Sequence, residues 1–164
     1  MRPIAIAALC LAAGGAGAEQ LFRLSLDEVG SVSPHIEADA DVRAEGAGSV
    51  RITTGWPATV SLGGIGGLDV EDARLVYSAK VRTELEGAAF LEMWVEVDGG
   101  RYFSKGVNDT VGGTTDWTTI EAPFLLGKGQ RPEKVTLNLV INGAGTVWID
   151  DIVLSREPAQ RRGQ

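Results

Sequence analysis

Two neighbouring carboxylates, Asp150 and Asp151, interrupt the last apolar run of the chain, which extends from Gly145 to Leu154. A buried strand tolerates a carboxylate only when something pairs it, because an unpartnered buried charge is costly. Either these aspartates lie at the rim of a sheet, or a cation or hydrogen-bond donors contact them. The pair therefore marks a place where the fold has to provide partners.

A tryptophan on the polar side of another segment is the second chemical feature. Trp94 lies between Glu92 and Glu96 in an alternating run, and Tyr102 follows a glycine turn. Sugars bind aromatic faces and planar hydrogen-bonding side chains, because their C–H patches stack while their hydroxyl groups need donors and acceptors. The other interpretation is a solvated sheet face with cross-strand ion pairs such as Arg82 with Glu92. The candidate ligand-binding residues are Trp94, Arg82, Glu92, Glu96, Asn138, Lys80 and Tyr102.

Catalytic motifs are weak in this chain. His35 is the only histidine, and no Gly-x-Ser-x-Gly elbow is present on which a hydrolase triad would be built. The glycines from 63 to 67 lack the dinucleotide-binding spacing, and Gly127-Lys128 lacks the remainder of a phosphate loop. The sequence therefore predicts a protein that is not an enzyme.

The segments that carry these residues alternate between apolar and polar side chains. The alternation is clearest in residues 49–53, 75–83, 89–97 and 135–141, and glycine turns such as Asp98-Gly99-Gly100 separate the segments. Such alternation is typical of strands that are buried on one face. A helix is the competing interpretation of residues 71–86, although β-branched residues interrupt its good helix formers. We predict an all-β fold, an antiparallel β-sandwich of the jelly-roll type.

The N-terminus has the composition of a secretory signal peptide, predicted over residues 1–18. Its apolar run from 4 to 13 is too short to span a bilayer, and Ala16-Gly17-Ala18 supplies the small residues that precede a cleavage site. The protein is therefore predicted to be secreted or periplasmic. The β-sandwich domain is predicted over residues 19–156 and a flexible tail over 157–164. Lipidation of Cys10 is the alternative to cleavage after residue 18.

Charge and cysteine usage restrict the partners. The formal net charge is −7 at pH 7, and phosphate binding needs clustered Lys and Arg, so nucleic acid is not expected as a partner. Cys10 is the only cysteine, so the exported domain has no disulfide and must be held by packing or by a metal. No second apolar segment is long enough to cross a membrane.

Four segments in order carry a family resemblance: Leu75 to Glu84, Glu92 to Asp98, Gly113 to Trp117, and Gly143 to Leu154. Over about residues 45–154 this order resembles the galactose-binding-like jelly roll, and more narrowly the carbohydrate-binding modules of secreted bacterial hydrolases. The resemblance implies the sandwich fold and non-catalytic binding of a polysaccharide or other glycan. The alternative is a cell-envelope structural or protein-interaction domain without a small-molecule ligand, since one fold hosts many functions.

The same resemblance implies a structural calcium ion. Members of the family often hold one between an aspartate of the closing strand and backbone carbonyl groups near the first strand, and calcium prefers several oxygen ligands. The corresponding ligands here are the carboxylate of Asp150 or Asp151 and carbonyl groups around Gly46 and Ser49. The alternative is that one aspartate caps backbone amides while the other is solvated.

Overall fold

The computed structural model describes residues 17–27 and 35–159, and these residues form an antiparallel β-structure. The one helical element among them is a short 3₁₀ turn, Val107–Asp109. The predicted all-β fold is confirmed, and the competing helix over residues 71–86 is wrong because residues 73–86 belong to one long strand. The strands are β1 (Glu19–Leu24), β2 (Ile36–Asp39), β3 (Ser49–Thr54), β4 (Ala58–Gly66), β5 (Ala73–Val97), β6 (Gly100–Lys105), β7 (Val111–Leu125) and β8 (Lys134–Pro158).

Two long strands, β5 and β8, connect the two layers of the molecule. They pair with each other from Ala73 opposite Pro158 to Glu96 opposite Lys134. The first layer contains the N-terminal half of β5 and the C-terminal half of β8, with β7 on one side and β1, β3 and β2 on the other. The second layer contains the C-terminal half of β5 and the N-terminal half of β8, with β6 on one side and β4 on the other. The inward side chains of both layers meet in one hydrophobic core, as in a β-sandwich.

Glycines occupy the corner where β5 and β8 pass from one layer to the other. Gly87 and Gly143 lie opposite each other there, with φ angles of +125° and +150° that L side chains rarely adopt. A Cβ atom on Gly143 would lie 1.9 Å from the carbonyl oxygen of Glu86, and one on Gly87 would lie 2.0 Å from that of Asn142. The two backbones therefore approach each other more closely than any side chain permits.

Alternation places the core side chains, with one change of parity. In β5 the odd-numbered residues face inward along the whole strand. In β8 the inward positions change from odd to even between Ile149 and Ile152. The change is caused by a bulge, because Asp151 and Ile152 together oppose the single residue Ala79 of β5. Asp151 has a φ of +49°, and aspartate is among the few residues that tolerate this region.

The first and last described strands, β1 and β8, pair with each other in the first layer. Arg156 Nε donates to a carboxylate oxygen of Glu19 at 2.6 Å, and Arg74 contacts Glu157 at 2.6 Å. Strand β8 continues to Pro158, so the predicted domain boundary at residue 156 falls inside the strand, and Glu157 belongs to the sheet rather than to a tail. The predicted signal peptide, apart from its last two residues, and the tail from residue 160 lie outside the described residues. Within the described ranges, no helix is long and apolar enough to cross a membrane.

Candidate functional site

A tight hairpin places two aromatic rings together on the outer face of the second layer. Asp98 and Gly99 join β5 to β6 with φ angles of +53° and +70°, and two positive values are the mark of a type I′ turn, whose twist suits a hairpin. The resulting register puts Trp94 directly opposite Phe103. Residues that lie opposite each other share a face of the sheet, so both rings point outward.

The rings and their charged neighbours form a continuous surface. The ring centroids of Trp94 and Phe103 are 4.9 Å apart at an interplanar angle of 46°. The Arg101 guanidinium lies 4.3 Å from the Trp94 centroid, and the Lys105 ammonium lies 5.4 Å from that of Phe103, both within cation–π range. Phe103 is 55% exposed, although phenylalanine is among the residues that are most often buried. We call the following six residues the Trp94 platform: Glu92, Trp94, Arg101, Phe103, Lys105 and Asn138.

A carboxylate and an amide are buried beside the Trp94 ring. Glu92 and Asn138 lie opposite each other on β5 and β8, and each is 7% exposed although it is on an outer face. One oxygen of Glu92 accepts the Trp94 indole N–H at 2.7 Å and an Asn138 amide N–H at 3.1 Å. Lys105 Nζ lies 3.9 Å from the other oxygen. This network fixes the orientation of the indole before any ligand arrives.

The structure brings together four of the seven predicted ligand-binding residues. Trp94, Glu92, Glu96 and Asn138 occupy outward positions of the second layer. Tyr102 does not join them, because it lies opposite an inward-facing residue and its side chain points to the other side of β6. Adjacent residues of a strand alternate in direction, which is the reason that Tyr102 and Phe103 diverge.

The remaining two predicted residues, Lys80 and Arg82, lie in the first layer. Lys80 Nζ is 3.6 Å from a carboxylate oxygen of Asp151, and an Arg82 nitrogen is 4.0 Å from one of Glu84. The expected ion pair between Arg82 and Glu92 is wrong, because the glycine corner separates the two residues into different layers.

Three carboxylates hold the loop of residues 40–48 that joins β2 to β3. Each accepts two consecutive backbone N–H groups of the loop. Asp39 binds those of residues 41 and 42 at 3.0 Å, and Asp150 binds those of residues 44 and 45 at 2.9 Å. Asp27 binds those of residues 47 and 48 at 2.6 and 3.2 Å. The sequence indicated Asp150 as a residue in need of partners but did not indicate Asp27 or Asp39.

These contacts predict a loss of stability in acid. Burial raises the pKa of Asp39, but hydrogen bonds from Val42, Trp148 and Asp41, together with the charge of Arg51, outweigh it and lower the pKa below 3.8. A carboxylate whose pKa is lower in the folded state contributes stability above its unfolded pKa of about 3.9, and this is lost as the pH falls through the folded value.

We therefore expect the free energy of unfolding to decrease when the pH is lowered from about 4. Urea titrations from neutral pH down to about pH 3 measure it. Asp39→Asn should be less stable at neutral pH and should lose less on acidification. If acidification lowered the free energy of unfolding equally in the wild type and in Asp39→Asn, this role of Asp39 would be contradicted.

The two carboxylates among the predicted calcium ligands already have partners within the protein, and the calcium ion itself stays a prediction. The second oxygen of Asp150 accepts the Asp151 amide N–H at 2.7 Å, so backbone N–H groups donate to both of its oxygens. Asp151 contacts Arg23 Nε at 2.8 Å, the Ser49 hydroxyl donates to a loop carbonyl, and Gly46 forms a turn with a φ of +59°. In the described part of the chain, no group of three His, Cys, Asp or Glu side chains is placed to hold a metal. Capping of backbone amides by one aspartate is the alternative that the geometry supports.

Solved structures share the fold at low sequence identity. The C-terminal family 22 carbohydrate-binding module of a Clostridium thermocellum protein has a TM-score of 0.57 and 9% identity, with 87% of this chain and 97% of that chain covered. The xylan-binding first family 22 module of a Paenibacillus barcinonensis protein has a TM-score of 0.54 and 15% identity, with 90% of this chain and 100% of that one covered. A family 16 carbohydrate-binding module has a TM-score of 0.53 and 11% identity, covering 73% and 84%.

No family model and no curated protein matches this sequence. The likeness is therefore one of fold, and it confirms the β-sandwich predicted from the alternation and from the carbohydrate-binding-module resemblance. What this chain binds has to be argued from its own residues.

Proposed function

We propose that this domain is a non-catalytic module that binds a polysaccharide through the Trp94 platform. The observation that carries the proposal is the exposed Phe103 ring packed on the half-buried Trp94 ring, beside the buried hydrogen-bonding pair of Glu92 and Asn138. Aromatic faces that adjoin fixed polar groups are what a sugar ring requires, since one side of the ring is apolar and its rim carries hydroxyl groups.

The cations of the platform support the same function. The Arg101 guanidinium lies over one face of Trp94, so its N–H donors are held beside the exposed Phe103 ring, where sugar hydroxyl groups would meet them. Phe103 provides the exposed ring on which a second sugar unit can stack. Because the rings lie on strands rather than on loops, little order has to be gained on binding.

The proposal includes export from the cytoplasm. The apolar residues from 4 to 13 and the small residues that follow them have the pattern of a secretory signal. Cell-wall and capsular polysaccharides lie outside the cytoplasm, where a module without any cysteine after Cys10 needs no reducing environment. Xylan is a reasonable first ligand to test, because one structural neighbour is a xylan-binding domain and another was solved with xylohexaose.

Affinity electrophoresis in gels that contain a soluble polysaccharide tests the proposal. Xylan, glucomannan, mixed-linkage glucan and galactan would each be cast into a native gel. We expect at least one to retard the wild type, and Trp94→Ala or Phe103→Ala to weaken the binding about tenfold or more, because each removes a stacking ring. Tyr102→Ala is the matched control, since Tyr102 is 51% exposed on the same strand but points to the other side. Equal losses for Tyr102→Ala and Phe103→Ala, or no retardation in any gel, would contradict the platform.

A further inference from the structure

An edge strand without charged residues lies on the side of the second layer away from β6. Residues 52–68 contain no Asp, Glu, Lys or Arg, although the chain as a whole has a formal net charge of −7. Strand β4 lies within this segment, and among the described residues it pairs with β8 alone. An uncharged run in β8, residues 135–149, lies between other strands. The run in β4 lies at an edge, where soluble proteins usually place charges that prevent pairing with another chain.

The inner side of this edge borders an apolar cavity of about 430 Å³. Ile36 of β2, Ile52 of β3 and Val60 of β4 line it, so both layers of the sandwich provide its walls. Val60, Leu62 and Ile65 of β4 pack against the core but are only partly buried. Apolar surface that the core of the chain itself leaves open marks a place where a partner binds.

Trp56 lines the same cavity and is 69% exposed. Its backbone is held in place, because the Thr54 hydroxyl donates to the Trp56 carbonyl oxygen at 2.7 Å and the Trp56 N–H donates to that hydroxyl at 3.3 Å. Pro57 restricts the backbone on the other side. Tryptophan is among the residues that contribute most to protein interfaces, and a residue that is already ordered loses little entropy on binding.

A second copy of this chain fits the edge. Every second N–H and C=O group of an edge strand points away from its neighbour, and an antiparallel edge can pair with its own copy about a two-fold axis. Two copies that each carry a net charge of −7 repel each other where their acidic surfaces meet. Along β4 no side-chain charge opposes the approach, and the apolar groups beside it are open.

The area of this edge is what a reversible dimer needs. The nine residues of β4 extend over about 30 Å, and two layers about 10 Å apart, with their outward side chains, make the edge about 20 Å wide. Each copy would bury about 600 Å², or about 1,200 Å² in total, which is the lower limit for specific stable interfaces. A bulge between Ser61 and Gly63 interrupts the regular edge. We therefore expect a dissociation constant in the micromolar range.

We propose that β4 pairs with β4 of a second copy in a two-fold antiparallel dimer that covers Trp56 and the cavity. The second layers of the two copies then form one sheet of eight strands. The two-fold axis is perpendicular to this sheet, so both Trp94 platforms lie on the same outer face. Five strand spacings of about 4.8 Å put the two copies of Trp94 about 24 Å apart across the strands. Bivalent retention on a long polysaccharide would follow, and that consequence rests on the proposed function, whereas the dimer does not.

Sedimentation velocity at protein concentrations from about 1 to about 500 µM tests the dimer. We expect a monomer at the lowest concentration and a species of twice its mass at the highest. Trp56→Glu introduces a charge into the interface at an exposed position and should weaken the association about tenfold or more. Leu125→Glu is the matched control, because Leu125 is 63% exposed on β7, at the opposite edge of the sandwich, and this variant should dimerise as the wild type does.

A monomer at every concentration would overturn the inference, and so would a dimer that Trp56→Glu leaves intact or that Leu125→Glu dissociates. If the apolar dye anilinonaphthalene sulfonate bound to such a monomer but not to Trp56→Glu, the cavity would belong to another apolar ligand and the dimer would again be overturned. If Trp56→Glu proves poorly folded by circular dichroism, Ser61→Lys at an exposed position of β4 provides the same comparison, because it brings like charges into the strand pair. The mass measurements use no sugar, so a failure of the dimer and a failure of the Trp94 platform are observed separately.

Discussion

Alanine at Gly143 is expected to lower the free energy of unfolding by more than about 3 kcal/mol, or to prevent folding altogether. Its Cβ atom would lie 1.9 Å from the Glu86 carbonyl oxygen, which is backbone and cannot rotate away, and the φ of +150° is strained for any L residue. Because β5 and β8 cross there, the strain would separate the strands that connect the two layers. Urea unfolding followed by tryptophan fluorescence measures the change.

Two other glycines act as controls for this effect. Gly99 also has a positive φ, +70°, but nothing lies within 4 Å of its Cβ position, so Gly99→Ala should show the backbone strain alone, about 1 kcal/mol. Gly55 has open space and no positive φ, so Gly55→Ala should be neutral or slightly stabilising. If Gly143→Ala were no more harmful than Gly99→Ala, the close approach of the two backbones at the corner would be refuted.

Asp150→Ala is expected to have the second largest effect, a loss of about 3 kcal/mol or more in the free energy of unfolding. The buried carboxylate accepts backbone N–H groups from residues 44, 45 and 151, and each donor that is left without a partner costs about 1–3 kcal/mol. Asp151→Asn is the matched control. It keeps a residue that tolerates positive φ, and it removes only partly exposed ion pairs, so its cost should stay below about 1 kcal/mol.

The chelator EDTA separates the two interpretations of these aspartates. Because three backbone N–H groups already donate to the Asp150 carboxylate, we expect the melting midpoint of the wild type to be the same in calcium and in EDTA. A large fall of the midpoint in EDTA, together with equal stabilities of the wild type and Asp150→Ala in that buffer, would show that a metal holds the loop.

The alternation of β5 shows what the sequence could and could not predict about the fold. Residues 75–83 and 89–97 were predicted as strands with the correct inward faces, and both belong to β5. Glycine turns were expected between the alternating segments, and Gly87 lies between these two. A glycine serves equally well for a turn or for a bend within a strand. Odd-numbered residues face the core on both sides of Gly87, so the alternation continues through it. The sequence alone therefore does not distinguish two short strands from one that passes between layers.

The same ambiguity limited the prediction of the site. Alternation reports which face of a strand a side chain occupies but not which layer, so Arg82 was grouped with Trp94 although the corner separates them. Phe103 was within reach of sequence reasoning, because a two-residue Asp98-Gly99 turn fixes its register opposite Trp94. Asp39 was not, since its loop partners depend on the path of the chain after β2 rather than on any local pattern.

Isothermal titration calorimetry with xylohexaose and other neutral hexasaccharides tests the binding function most directly. The wild type should bind at least one of them exothermically, as expected for ligands recognised largely by hydrogen bonds, and Tyr102→Ala should give the same heat. Trp94→Ala should bind the same sugar about tenfold or more weakly, because a stacking ring is lost. Identical titration curves for the wild type and Trp94→Ala, or no heat with any of the sugars, would contradict the proposal that this domain binds glycans through Trp94.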